Sequence, residues 1–244
     1  MFAFLRGRFV FVLSLAGLVQ AAQPVATSCQ AHSSTTLTPV IELYTSEGCS
    51  SCPPADKWVS TLKDAAAAGH VVVEAFHVGY WDSLGWVDRF AAPAHSARQR
   101  DLAAANHLGG IYTPQVVRNG LDWRNYPAAV GVGPAARATI VLQGQGLDAY
   151  QATVTPADAE SSWSAYWTVT EHGHSSRVKA GENNGEFLQH DFVVREYVAV
   201  GSYRGAARLN FRAIAVDPRH PRQVNLVVFE RSSGKPLQAL SVGC

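Results

Sequence analysis

The order of apolar and polar positions divides the chain into two textures. Val40-Ile41-Glu42-Leu43-Tyr44 is a short apolar run after Pro39 and predicts a strand. Cys49 to Ala68 follows with Trp58, Val59 and Leu62 at helical spacing, Pro53 and Pro54 in its first turn, and Gly69 at its end. Val71 to Val78 is a continuous apolar run broken only by Glu74 and His77, as expected of a strand in a sheet covered on both faces. A helix is predicted from about Ala94 to His107. Thr113-Pro114 then leads into a third strand, Gln115-Val116-Val117-Arg118, with the turn signal Asn119-Gly120 behind it. Residues 122–133 read as a loop and the start of another helix.

Beyond about Gly146 the helical spacing disappears. Tyr166 to Thr170, Asp191 to Tyr203, Arg208 to Val216, Val224 to Glu230 and Leu237 to Val242 read as strands separated by turns, most simply a small sandwich. The expected organisation is a segment 22–145 of α/β character and a β-sandwich-like segment 146–244. Ahead of both, Arg6 and Arg8 precede the apolar stretch Phe9 to Leu18, and Val19-Gln20-Ala21 supplies small residues at cleavage spacing. Residues 1–21 therefore read as a signal peptide, with an apolar run too short for a comfortable membrane span. The expected location is periplasmic or secreted in a bacterium, with no stable membrane span after cleavage.

Composition narrows the function classes. Hydrophobic residues make up 47% and charged residues 16% of the chain, which supports a packed core, and the net charge of +1 without a basic stripe argues against nucleic acid as a partner. Export would let the four cysteines, Cys29, Cys49, Cys52 and Cys244, form lasting disulfides. Cys49 and Cys52 form a local Cys-x-x-Cys pair, leaving Cys29 and Cys244 as a clasp between the ends. So long a loop would restrict the unfolded chain by roughly 5 kcal/mol.

The Cys49-Ser50-Ser51-Cys52 motif carries the candidate chemistry. At a helix N-terminus, backbone N–H groups and the helix dipole stabilise the thiolate of the first cysteine, and the second can resolve a mixed disulfide. Zinc is an alternative use of the motif, but no second Cys-x-x-Cys completes a four-ligand site. A passive bridge is another, although so short a loop gains little from crosslinking. Soft thiolates beside a histidine also suit copper, so Cys49, Cys52 and His77 form an alternative metal set. No cofactor is expected, and the expected partners are protein or small-molecule thiols and disulfides.

Strand, loop, Cys-x-x-Cys helix, strand, helix, Thr-Pro, strand resembles the order of elements in the thioredoxin superfamily. That resemblance implies a thioredoxin-like fold with a helical and aromatic insertion, followed by the small β domain. It also implies that Pro114 is cis, that Thr113 and Pro114 meet extended substrate, and that Glu42 is the acid relaying a proton to the second cysteine. Glu42 is offset by one residue from the superfamily pattern. The inserted segment Tyr80 to Pro93 is aromatic, and Tyr80, Trp81 and Trp86 are candidates to contact substrate. More closely, Glu42 to Asp56, His77-Val78-Gly79-Tyr80-Trp81-Asp82, Tyr112-Thr113-Pro114-Gln115 and the segment Gly181 to Arg195 resemble a family of secreted bacterial proteins defined as a domain of unknown function. In that family Gly79 would be expected to be Asp. Uncharged serines between the cysteines, with Glu47 nearby, point to an intermediate to reducing potential. His190, Asp191, Glu182 and Arg195 read as a turn network within the β part.

Overall fold

The computed structural model describes Met1 and residues 29–128 and 130–243. Residues 2–28, with most of the expected signal peptide, lie outside the described residues, as does Cys244. Among the described residues no helix is long and apolar enough to cross a membrane.

The first part of the chain forms β1 (Gln30–His32), β2 (Val40–Thr45), α1 (Pro53–Ser60), α2 (Lys63–Ala67), β3 (Val72–His77), α3 (Pro93–Ala105), β4 (Gln115–Arg118) and β5 (Leu121–Asp122). The remainder is all strand: β6 (Ala138–Gly144), β7 (Ala149–Pro156), β8 (Ser162–Glu171), β9 (His174–Arg177), β10 (Phe187–His190), β11 (Val193–Arg204), β12 (Ala207–Arg212), β13 (Arg222–Glu230) and β14 (Pro236–Val242).

The expected fold class is corrected. Among the described residues strand makes up 42% and helix 13%, in three α-helices and several sheets. This is a mostly β molecule, not an α/β thioredoxin-like fold with a helical insertion. The central element is an eight-stranded sheet in the order β14-β13-β8-β11-β3-β2-β4-β5. It joins both textures of the sequence, because β11 pairs in parallel with β3 at Val193 and Ala75 and antiparallel with β8 along most of its length. A second sheet, β1-β6-β7-β12, draws β1 from the N-terminal segment. The described residues of 122–133 supply no helix.

Side-chain alternation assigns the faces. Ile41 and Leu43 of β2 and Val73 and Ala75 of β3 pack against Ala55 and Val59 of α1. Tyr44 and Phe76 point the other way, into a cluster with Val117, Val194 and Leu102 of α3. The four-stranded sheet closes on the far half of the large one, with Ile140, Leu142 and Val154 packed among Trp163, Trp167, Leu226 and Val228. Trp167 stacks on Phe211 there, with ring centroids 4.9 Å apart.

The expected helix from Cys49 to Ala68 is split. The Thr61 hydroxyl donates to the Trp58 carbonyl and the Ser60 hydroxyl to the Asp56 carbonyl, at 2.6 and 3.1 Å. These hydroxyl contacts compete with continued helical pairing, so α1 ends and α2 starts afresh at Lys63.

Candidate functional site: a disulfide over a buried imidazole–carboxylate cluster

Cys49 and Cys52 are joined as a disulfide with their Cα atoms 5.5 Å apart. The pair of the Cys-x-x-Cys motif is thus a disulfide, not a dithiol. Cys52 is the N-cap of α1, and Pro53 and Pro54 follow it, where missing N–H groups cost nothing. Cys49 lies in the turn before it, bonded from the Cys52 N–H to the Cys49 carbonyl. Both cysteines are buried, while Ser50 and Ser51 are exposed. The Ser51 hydroxyl is 3.3 Å from Cys49 Sγ. Cys29 is also disulfide-bonded, and Cys244, the partner expected for it, lies outside the described residues.

A turn from the second half of the chain covers this motif. Glu182 accepts hydrogen bonds from both the N–H and the hydroxyl of Ser50, each at 2.9 Å. The Asn183 amide donates to the carbonyls of Glu47 and Cys49, also at 2.9 Å. The Ser50 donors hold the Glu182 carboxyl below its ordinary range.

The aromatic segment packs beside the motif. Trp81 Nε1 donates to Thr113 Oγ1 at 2.8 Å, and a Cβ at Gly48 would come within 2.9 Å of Trp81 Cβ. Residue 48 must therefore be glycine for the indole to lie against the turn that presents Cys49. The Thr113–Pro114 bond is cis, and Trp81 ties it to the cysteine turn. Trp86 Nε1 donates to Glu47 Oε2 at 2.7 Å. The indole N–H groups of Trp81 and Trp86 are thus committed to the protein, while Tyr80 is 39% exposed at the edge of the site.

Glu42 is not brought to the cysteines. It shares the face of β2 that points away from α1. There Arg98 grips it through two bonds of 2.7 and 2.8 Å, and the Tyr44 hydroxyl donates to it at 2.8 Å. A proton relay from Glu42 to Cys52 therefore has no direct path through this geometry. The one-residue offset noted in the sequence is what sends the side chain to the other face.

Beneath the disulfide lies a group of buried charges. Asp56 is one helical turn along α1 from Cys52. Thr45 and His77 are register partners at the C-terminal ends of the parallel strands β2 and β3, on the α1 side. His190 ends β10, which packs on α1. The Thr45 hydroxyl donates to Asp56 Oδ2 at 2.7 Å. His77 Nδ1 meets Asp88 Oδ2 at 2.7 Å, and that same oxygen accepts the Glu47 N–H at 2.9 Å. His190 Nε2 is 3.3 Å from Glu47 Oε1, and its Nδ1 is 3.5 Å from Asp56 Oδ1. These two contacts are ion pairs without hydrogen-bond alignment, since neither His190 nitrogen has a hydrogen-bond partner within the protein.

Burial alone would depress the His190 pKa, but Asp56 and Glu47 outweigh it and push it up to about 9. Burial opposes ionisation of Asp88, yet the His77 charge and hydrogen bond bring it down to about 2. Asp56, His77 and His190 hold ligand-type atoms within 4.8 Å of one another, all three residues being buried. The fold groups His77, a member of the alternative copper set with the cysteines, with Asp56 and His190.

Sequence reasoning missed Asp56, Asp88 and Asn183, and placed Glu182 and His190 in a turn network of the β part. Asp56, Glu182, Asn183 and His190 lie in segments quoted for the family resemblance, but no local pattern marks them as partners. Nothing local connects residue 190 to residue 56.

Solved structures with the same overall fold exist. A protein of Agrobacterium tumefaciens solved by X-ray crystallography matches with a TM-score of 0.63 at 21% identity, over 85% of this chain and 94% of that one. HBP35 of Porphyromonas gingivalis matches with a TM-score of 0.55 at 14% identity, over 86% of this chain and 76% of that one. No curated protein matches the chain. A family model described as "Protein of unknown function (DUF1223)" matches residues 40–230. The chain therefore belongs to the DUF1223 family.

Proposed function

We propose that this protein exchanges disulfides with thiols of proteins or small molecules in an oxidising compartment outside the bacterial cytosol. The observation that carries the proposal is the Cys49–Cys52 bridge at the start of α1, a position that favours the thiolate once the bridge opens. Exposed Ser50 and Ser51, and the tie from Trp81 to cis Thr113–Pro114, give this end of the sheet a surface on which an extended substrate could rest. The apolar leader expected at residues 9–18 and the bonded state of Cys29 agree with an exported setting.

In the oxidising direction, a substrate thiolate attacks Cys49 Sγ. The Cys49–Cys52 bond breaks, a mixed disulfide forms at Cys49, and Cys52 leaves as a thiolate that takes up a proton. A second substrate thiolate attacks the substrate-side sulfur, closes the substrate disulfide and releases Cys49. Two electrons pass from the substrate dithiol to the cysteine pair. The reverse sequence reduces a substrate disulfide. Because Cys49 is buried under the Glu182–Asn183 turn, attack requires that turn to lift.

A Cys52→Ser variant expressed with its leader tests this reading. Cys49 should accumulate mixed disulfides that dissolve on reduction and are identified by mass spectrometry. Adducts no more abundant than in the variant lacking both cysteines would refute it.

A further inference from the structure

We propose that Asp56, His77 and His190 form a site for one divalent transition-metal ion of zinc-like preference, one helical turn beneath the disulfide and independent of its sulfurs. Two imidazoles and one carboxylate are a donor set that zinc and its neighbours accept.

The arrangement of the outer atoms carries the inference. Each of the three side chains turns a polar atom inward, and His77 and Asp56 each have a second polar atom held by the protein. His77 gives Nδ1 to Asp88 and keeps Nε2 without a partner, although the side chain is fully buried. Asp56 uses Oδ2 to accept from Thr45 and directs Oδ1 toward His190. His190 sets Nε2 against Glu47 and Nδ1 toward Asp56, with neither nitrogen hydrogen-bonded within the protein. A carboxylate behind each ligating imidazole is the usual device that fixes the ring and raises its basicity toward a metal. Here Asp88 stands behind His77 through a hydrogen bond, and Glu47 stands behind His190 as an ion-pair contact of 3.3 Å.

Charge and size agree. Three buried carboxylates, Glu47, Asp56 and Asp88, face two imidazoles. A divalent ion bound to two neutral imidazoles gives this pocket the same net charge as two imidazolium ions would, so loading adds no unbalanced charge. Ligand bonds of about 2.0–2.2 Å place neighbouring ligand atoms roughly 3–3.5 Å apart. The atoms already lie within 4.8 Å of one another, so shifts of about 1 Å close the set. A bare ion-pair network would instead be expected to align its hydrogen bonds, since unpaired buried polar atoms are costly. In this cluster Glu47 Oε1, His77 Nε2 and both His190 nitrogens are left unaligned.

The test uses the full exported chain with its disulfides intact, stripped by a chelator and titrated with Zn²⁺ by calorimetry and with Co²⁺ by visible absorption. One equivalent should bind, with cobalt bands of low coordination number and no sulfur-to-cobalt charge transfer. The His77→Gln and His190→Gln variants, confirmed as folded by circular dichroism, should bind at least about 100-fold more weakly. Asp56→Asn serves if either fails to fold. Asp88→Asn should weaken binding about 10- to 100-fold, and the variant with both Cys49 and Cys52 changed to Ser should bind as the wild type does. No saturable binding, unchanged binding in the folded variants, or binding that needs the cysteines would each overturn the site. Disulfide exchange is read separately, so either proposal can fail without the other.

Discussion

The two faces of β2 and β3 carry buried charge in opposite ways. On the α3 face, Glu42 and Glu74 are register partners, and every carboxylate oxygen is held. Arg98 and Tyr44 take Glu42, while Tyr166 and Thr168 donate to Glu74 at 2.9 and 2.6 Å. Arg98 also lies 4.1 Å over the Tyr166 ring. On the α1 face, three residues further along the same strands, stand Thr45 and His77. There the charges converge but leave imidazole nitrogens unsatisfied. Saturated buried charge is structure: it fixes how strands and helix pack. Unsaturated buried charge beneath a reactive bond is where function is to be sought.

The largest effect that would break this contrast is on the saturated face. Arg98→Ala leaves the Glu42 carboxylate buried without its cation and should destabilise the fold by about 3–5 kcal/mol in urea unfolding. Disulfide exchange by the folded fraction should be unchanged. A loss of exchange out of proportion to folding would restore a role for Glu42 at the cysteines.

Glu74 should show the next effect, as a pH dependence. Burial, then the Glu42 charge beside it, push its pKa up to about 7 from 4.5. The folded state therefore binds a proton that the unfolded chain has released, and stability falls as pH rises from 4.5 to 7 and then levels. Glu74→Gln removes that slope. Its stability relative to wild type should rise by about 1–3 kcal/mol across this window and stay constant above it, as chemical denaturation at several pH values would show. A flat difference would mean that Glu74 is ionised throughout.

The smallest effect on folding, and the sharpest on function, belongs to Glu182. Removing its bonds to Ser50 in Glu182→Ala should leave the melting temperature nearly unchanged. It should also speed reduction of Cys49–Cys52 by a small thiol several-fold, because the covering turn lifts more readily and a negative charge leaves the attacked sulfur's surroundings. An unchanged or slower rate would mean that the turn does not control access.

Much of the α1 side was legible in the sequence. The apolar runs at Val40–Tyr44 and Val71–Val78, the prolines behind Cys52 and the Thr113-Pro114 pair all mark local structure, and each lies in or beside the element expected. What escaped depends on distant pairing. The β11–β3 junction is a single parallel register contact, Val193 with Ala75, and no local pattern encodes it, so the chain reads as two separate domains where one sheet runs through both. Strands β6 and β7 do alternate, with Ile140, Leu142, Ala152 and Val154 inward, but short polar and glycine residues between them mask the period. The cluster under the disulfide combines α1, β2, β3, β10 and the loop holding Asp88. Its members are visible one by one, and only the fold makes them neighbours.

The account rests on the Cys49–Cys52 bridge being a working redox centre. The most direct measurement is turnover of a thiol-dependent insulin-reduction and scrambled-disulfide assay by the wild type and by Cys49→Ser. The account predicts catalysis above the uncatalysed rate in the wild type and none in the variant. Equal rates for the two proteins would contradict it.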